Sequence, residues 1–73
     1  MKSRRKLVQI MVNGRPREVA EGMTIARLLE DLALATKYVA VEVNLQLVPR
    51  PKHAEHRLRE GDRLEIVTLV GGG

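Results

Sequence analysis

The sequence predicts an α+β domain, a mixed sheet of about four to five strands with one main helix packed on one face. Period-two alternation of apolar residues appears near both ends and in the middle of the chain. Helical spacing appears once, and Asn-Gly and Gly-Asp pairs separate the segments. At 73 residues the chain makes one domain, able to bury roughly 60% of its unfolded surface around a single thin core.

The first strand is Leu7-Val8-Gln9-Ile10-Met11-Val12, which alternates and runs into Asn13-Gly14, a pair suited to the positive φ angles of a type I′ hairpin turn. The return strand covers about Arg15 to Val19. Pro16 within it has no N–H to give a ladder, so this strand belongs at a sheet edge. Thr24 is a suitable N-cap for a helix running to about Leu34, in which Ile25, Leu28, Leu29 and Leu32 form one apolar stripe and Arg27, Glu30 and Asp31 face water. Val39, Val41 and Val43 alternate with Ala40, Glu42 and Asn44 in a third strand. A turn near Asn44 to Gln46 leads into a short strand, Leu47-Val48, which Pro49 and Pro51 end at a second edge. Residues 52–57 suit one helical turn before the turn signal Gly61-Asp62. The last strand, Arg63 to Val70, is apolar on both faces and should therefore be central.

Hairpin, helix, hairpin and a lone central strand, with the first and last strands parallel, make the β-grasp or ubiquitin-like architecture. The helix-facing residues are then Val8, Ile10, Val12, Ile25, Leu28, Leu29, Leu32, Val39, Val41, Val43, Leu64 and Ile66. Parity puts Leu7, Gln9, Met11, Ala40, Glu42, Val48, Glu65, Val67 and Leu69 on the opposite face. Leu7, Met11, Val67 and Leu69 are expected to form an exposed apolar patch beside the C-terminal tail, which reads either as a docking site or as scattered surface residues. The organisation expected is a basic arm at 1–6, the folded domain at 7–70 and a glycine tail at 71–73.

Charge and composition exclude several functions. The net charge of +4 suggests an anionic partner, but Lys2, Arg4, Arg5 and Lys6 hold four of the thirteen basic residues, leaving nine basic against nine acidic residues over 7–73. The body is neutral, and the arm reads as solvated before it reads as an RNA-binding segment. Tyr38 is the sole aromatic residue, so the stacking platform that grips single-stranded nucleic acid cannot be built. With no Cys there is neither a disulfide nor a thiol nucleophile, and no apolar run reaches the eighteen residues of a membrane span. A cytoplasmic location is expected. His53 and His56 are three apart, but with Glu55 alone nearby they read as a solvated turn and not as a metal pair. Asp62 is a turn residue, Arg50 a solvent-exposed rim position, and Glu30 and Asp31, being adjacent, point apart on the helix. No nucleophile–base constellation is present, so no catalytic residue is assigned.

The sequence closes on Val70-Gly71-Gly72-Gly73. Residues without Cβ can thread a narrow channel in conformations barred to others, and they leave a terminal carboxylate unhindered. Three glycines alone fit equally a frayed terminus. Taken together with Val12-Asn13-Gly14, Val41-Glu42-Val43-Asn44, Val48-Pro49-Arg50 and Glu60-Gly61-Asp62-Arg63-Leu64-Glu65-Ile66-Val67, this ending resembles the ThiS family, the ubiquitin-like sulfur carriers of thiamin biosynthesis, over about residues 7–73.

The resemblance implies a protein co-substrate and not an enzyme. It implies that a ThiF-type enzyme, using ATP and magnesium, adenylates the carboxylate of Gly73. A persulfide sulfur donor then converts that group to a thiocarboxylate, and a ThiG-type thiazole synthase takes the sulfur. Gly71 and Gly72 would form the tail that enters the partner's active site. The carrier itself would bind no cofactor. Within the same chemistry the MoaD-type carrier of molybdopterin synthase is the alternative, along with a protein-conjugating role. A TGS-like RNA-binding module is the alternative from another class.

Overall fold

The computed structural model describes residues 6–34 and 38–69. Its strands are β1 (Leu7–Val12), β2 (Arg15–Ala20), β3 (Val39–Val43), β4 (Gln46–Val48) and β5 (Arg63–Thr68), with the helix α1 (Ile25–Asp31) between β2 and β3. They form one sheet in the order β2-β1-β5-β3-β4. β1 pairs in parallel with β5, and the other pairings are antiparallel. This is the mixed sheet and single helix expected, with the two proline-marked strands at the edges and the last strand in the centre. The ladder starts one residue before β1, because the Glu21 N–H donates to the Lys6 carbonyl at 2.9 Å. Lys6, expected in the arm, is thus fastened to the sheet.

Both hairpins turn on two residues with positive φ: Asn13 (52°) and Gly14 (83°), then Asn44 (53°) and Leu45 (71°). That geometry matches the right-handed twist of the flanking strands. The second turn is shorter than the sequence suggested. β4 therefore begins at Gln46, Val48 pairs with Val41, and Val48 is buried in the core instead of lying on the open face. A slip of one residue reverses every side chain of a strand.

The core is aliphatic: Ile10, Val19, Ile25, Leu28, Leu29, Val39, Val41, Val43, Val48, Leu58, Leu64 and Ile66, with Val8, Val12 and Leu32 partly buried against it. Thr24 caps α1 by accepting the Arg27 N–H at 3.2 Å. The helix stops at Asp31, short of Leu34. Ala33 takes a left-handed φ of 59°, its N–H donates to Glu30 and that of Leu34 donates to Leu29, both at 2.9 Å. These two bonds satisfy the last carbonyls in the Schellman arrangement. Leu32 and Leu34 still pack on the core from outside the helix.

The connection from β4 to β5 is a 3₁₀ turn at Arg50–Lys52 followed by irregular chain. It closes the start of α1, whose Ile25 and Ala26 N–H groups donate to the carbonyls of His56 (3.1 Å) and His53 (3.0 Å). Leu58 anchors this segment in the core.

Candidate functional site

Residues 70–73 lie outside the described residues, so Gly71, Gly72 and Gly73 are approached through β5, the strand that leads to them. β5 is held from both flanks by asparagines in equivalent places. Each is the first residue of a hairpin turn, and each reaches β5 through main chain and side chain together. Asn44 donates its N–H to the Arg63 carbonyl (2.8 Å) and accepts the Arg63 N–H on Oδ1 (3.0 Å). Its Nδ2 donates to Asp62 Oδ1 (3.0 Å), and Asp62 Oδ2 accepts the Arg59 N–H (2.9 Å). Asp62 is therefore a turn residue, as expected, and also ties the two turns together.

Asn13 acts further along the strand. Its N–H donates to the Leu64 carbonyl at 2.9 Å. Its side chain then takes both backbone groups of Ile66: Oδ1 accepts the N–H at 2.7 Å and Nδ2 donates to the carbonyl at 3.1 Å. The main chain of β1 has turned away by this point, and the amide continues its parallel ladder by one step. On the other flank the Leu69 N–H donates to the Tyr38 carbonyl at 2.6 Å. The sequence marked Asn13 as a turn former and missed this second use. An asparagine where glycine would have served the φ equally well was the available signal.

The open face of the sheet carries the expected docking residues, but not as one patch. Met11 lies beside Arg63 in the parallel register. Leu7 is four residues back along β1 and Val67 four residues forward along β5, so at about 3.3 Å per residue they stand roughly 25 Å apart. Leu7 is exposed at the far end of the sheet and does not join a patch beside the tail, and Met11 is only half-exposed. Parity names the face, whereas register decides who is a neighbour.

Beside the tail the apolar surface runs across β5 and β3 instead. Val67 pairs with Ala40, and Leu69, the next residue in the alternation, lies against Tyr38. Tyr38, Val67 and Leu69 are each 53% exposed. Leu47, paired with Glu42, extends the surface onto β4 and is exposed too. Glu42 in turn faces Glu65 directly across the β3–β5 ladder, so two carboxylates border the apolar area. Tyr38 and Leu47 did not emerge from the sequence, one preceding a strand and the other inside a three-residue strand.

His53 differs from its expected role. It is buried, and its Nε2 lies 2.9 Å from the Val48 carbonyl, which can only accept, so Nε2 carries the proton. Nδ1 has no hydrogen-bond partner. The residue fastens the segment after β4 to that edge strand. Among the described residues no three His, Cys, Asp or Glu side chains gather to hold a metal, and no helix is long and apolar enough to cross a membrane. Arg50 is exposed, and Arg27 pairs with Asp31 (3.3 Å) and Glu30 (4.0 Å) on the wet side of α1.

Comparison with known proteins accounts for a β-grasp whose central strand leads into glycines. The model of the ThiS family matches residues 10–73, the glycines included. The chain belongs to the ThiS family. The sulfur carrier protein ThiS of Escherichia coli (strain K12) is 33% identical over 66 residues, which are 90% of this chain and 100% of that protein. ThiS of Thermus thermophilus is 36% identical over 64 residues, 88% of this chain and 98% of that one. The crystal structure of ThiS from Geobacter metallireducens superposes with a TM-score of 0.77 at 33% identity, covering 90% of this chain and 100% of that chain. A thiazole synthase of Paramagnetospirillum magneticum is 39% identical over 66 residues. This chain spans only 20% of that longer protein, so the likeness is to a ThiS-like segment within it.

Proposed function

We propose that this ThiS-type sulfur carrier serves thiazole formation in thiamin biosynthesis by holding sulfur as a thiocarboxylate on Gly73. The observation that carries the reading is the family match, which continues from the β-grasp body through residue 73. A carboxylate is a poor acyl donor, so a ThiF-type enzyme first joins it to AMP, consuming ATP with magnesium and releasing pyrophosphate. The terminal sulfur of a persulfide then attacks the activated carbonyl and AMP leaves. Cleavage of the S–S bond by a thiol frees the thiocarboxylate for a ThiG-type thiazole synthase, in the cytoplasm. The carrier supplies no catalytic group to these steps. It contributes a rigid body for docking and a narrow segment, Gly71-Gly72-Gly73, that passes where side chains would collide.

The ThiG partnership draws support from the thiazole synthases of P. magneticum and Magnetococcus marinus, each of which contains a stretch resembling this chain. Docking draws support from the apolar surface of Ala40, Val67 and Leu69 beside the tail; Met11, beside Arg63, lies four residues back along the sheet from Val67. Leu7 is too distant to share that surface. The test is intact-mass analysis after incubation with ATP, magnesium, an activating enzyme and a persulfide donor. A sulfur-for-oxygen mass change localised to Gly73 is expected. An unchanged mass with an enzyme that modifies the E. coli carrier would refute the reading.

A further inference from the structure

We infer that Asn13 is a positioning residue for the reactive tail, its side-chain amide fixing the last part of β5 so that the glycines leave the sheet in one direction. The inference rests on the carrier reading above and adds to it a residue distant in sequence from the tail.

A docked carrier delivers its carboxylate only if the residues between docking surface and tail hold one geometry, because small misplacements of a reacting group cost rate steeply. Two lateral anchors precede the tail. On the β3 side it is the ladder that runs to Thr68 and closes on the bond from Leu69 N–H to the Tyr38 carbonyl. On the β1 side it is the pair of bonds between Ile66 and the Asn13 amide, at 2.7 and 3.1 Å. β1 itself ends at Val12, opposite Leu64. Without the amide, Ile66 would present an unpaired N–H and carbonyl on that flank, and the strand beyond Leu64 would be held from one side. Such one-sided strands fray and twist. Three glycines amplify the error, since residues without Cβ restrict the backbone least.

The two turn asparagines provide an internal control. Both occupy the same φ, 52° and 53°, and both hold β5, but Asn44 holds its start at Arg63 whereas Asn13 holds it at Ile66. Glycine at either position keeps the turn, because it adopts positive φ without strain. Asn13→Gly therefore removes the clamp and leaves the hairpin.

The experiment pairs amide exchange with activation kinetics, using the full chain and a purified ThiF-type enzyme. In Asn13→Gly the Ile66 amide should exchange at least about tenfold faster than in the wild type, in line with the loss of one or two hydrogen bonds. The kcat for adenylation should fall on the order of tenfold, with KM for the carrier changed less than about twofold, since docking is intact while tail placement is not. Asn44→Gly should retain the wild-type kcat. Asn13→Asp, which keeps the acceptor for the Ile66 N–H, should fall between the wild type and Asn13→Gly. Unchanged kcat in Asn13→Gly despite faster exchange at Ile66 overturns the positioning role. Unchanged exchange overturns the clamp itself, with no enzyme needed. Failure of the wild-type chain to be activated overturns the carrier reading, a result distinguishable from both.

Discussion

Replacing Val67 with aspartate tests the proposed docking surface at its centre. Val67 stands on β5 beside the tail, paired with Ala40, and is 53% exposed. Fully burying a valine contributes about 1.5–3 kcal/mol, so covering the remaining half would contribute about 0.8–1.6 kcal/mol. An aspartate must in addition be stripped of water against an apolar partner, at a cost of about 1–3 kcal/mol. Together the two effects amount to about 1.8–4.6 kcal/mol, or a rise in KM for activation of roughly 20- to 2000-fold at 1.4 kcal/mol per decade. The domain should stay folded, because the substituted side chain already faces solvent. The assay is pyrophosphate release by the activating enzyme over a range of carrier concentrations, with circular dichroism to confirm the fold. Leu7→Asp is the control: that residue is also exposed but roughly 25 Å away by strand spacing, and its KM should stay within about twofold of wild type. A folded Val67→Asp variant with wild-type KM would refute the surface, as would an equal loss from Leu7→Asp.

Two further predictions concern stability. Ala33 ends α1 at φ 59° with its side chain exposed. Glycine there relieves about 1–2 kcal/mol of left-handed strain and loses about 0.4–1 kcal/mol to the freer unfolded chain. Ala33→Gly should therefore stabilise by about 0.5–1 kcal/mol and raise Tm by about 2–8 °C, measurable by calorimetry; a lower Tm contradicts the Schellman reading. His53→Phe preserves bulk but leaves the Val48 carbonyl without its donor, which should cost about 1–3 kcal/mol in urea unfolding. An unchanged midpoint would mean that the bond to Val48 contributes nothing.

Most of the fold was legible because its signals are local. Alternation, the Asn13-Gly14 pair, Thr24 and the three prolines each act within a few residues, and the architecture follows from their order. The helix end was not, because alanine carries no stop signal and the apolar stripe continues through Leu32 and Leu34 after the helix has ceased. Val48 faces the core and not the open face because the second turn is one residue shorter than its polar run suggests. Leu58 and His53 stand in a largely polar, aperiodic segment, where nothing local marks a buried position. At the site, the glycines stood out by composition and order, and the open face followed from parity. Which residues adjoin the tail depends on the register between β1 and β5, fixed by contacts more than fifty residues apart, such as Asn13 with Ile66.

The central place of β5 bears on how the molecule is made. This strand joins the β1–β2 hairpin to the β3–β4 hairpin and supplies Leu64 and Ile66 to the core. Each of those side chains contributes about 1.5–3 kcal/mol, a large share of the 5–15 kcal/mol typical of a whole domain. A ribosome delivers β5 after every other strand, so a nascent chain halted before it has two hairpins and no sheet to unite them. The domain must then fold late and through distant pairings, which is slow. In return, a chain cut short before β5 has no native surface to present, so the proposed activating enzyme would not be occupied by carriers that lack a tail.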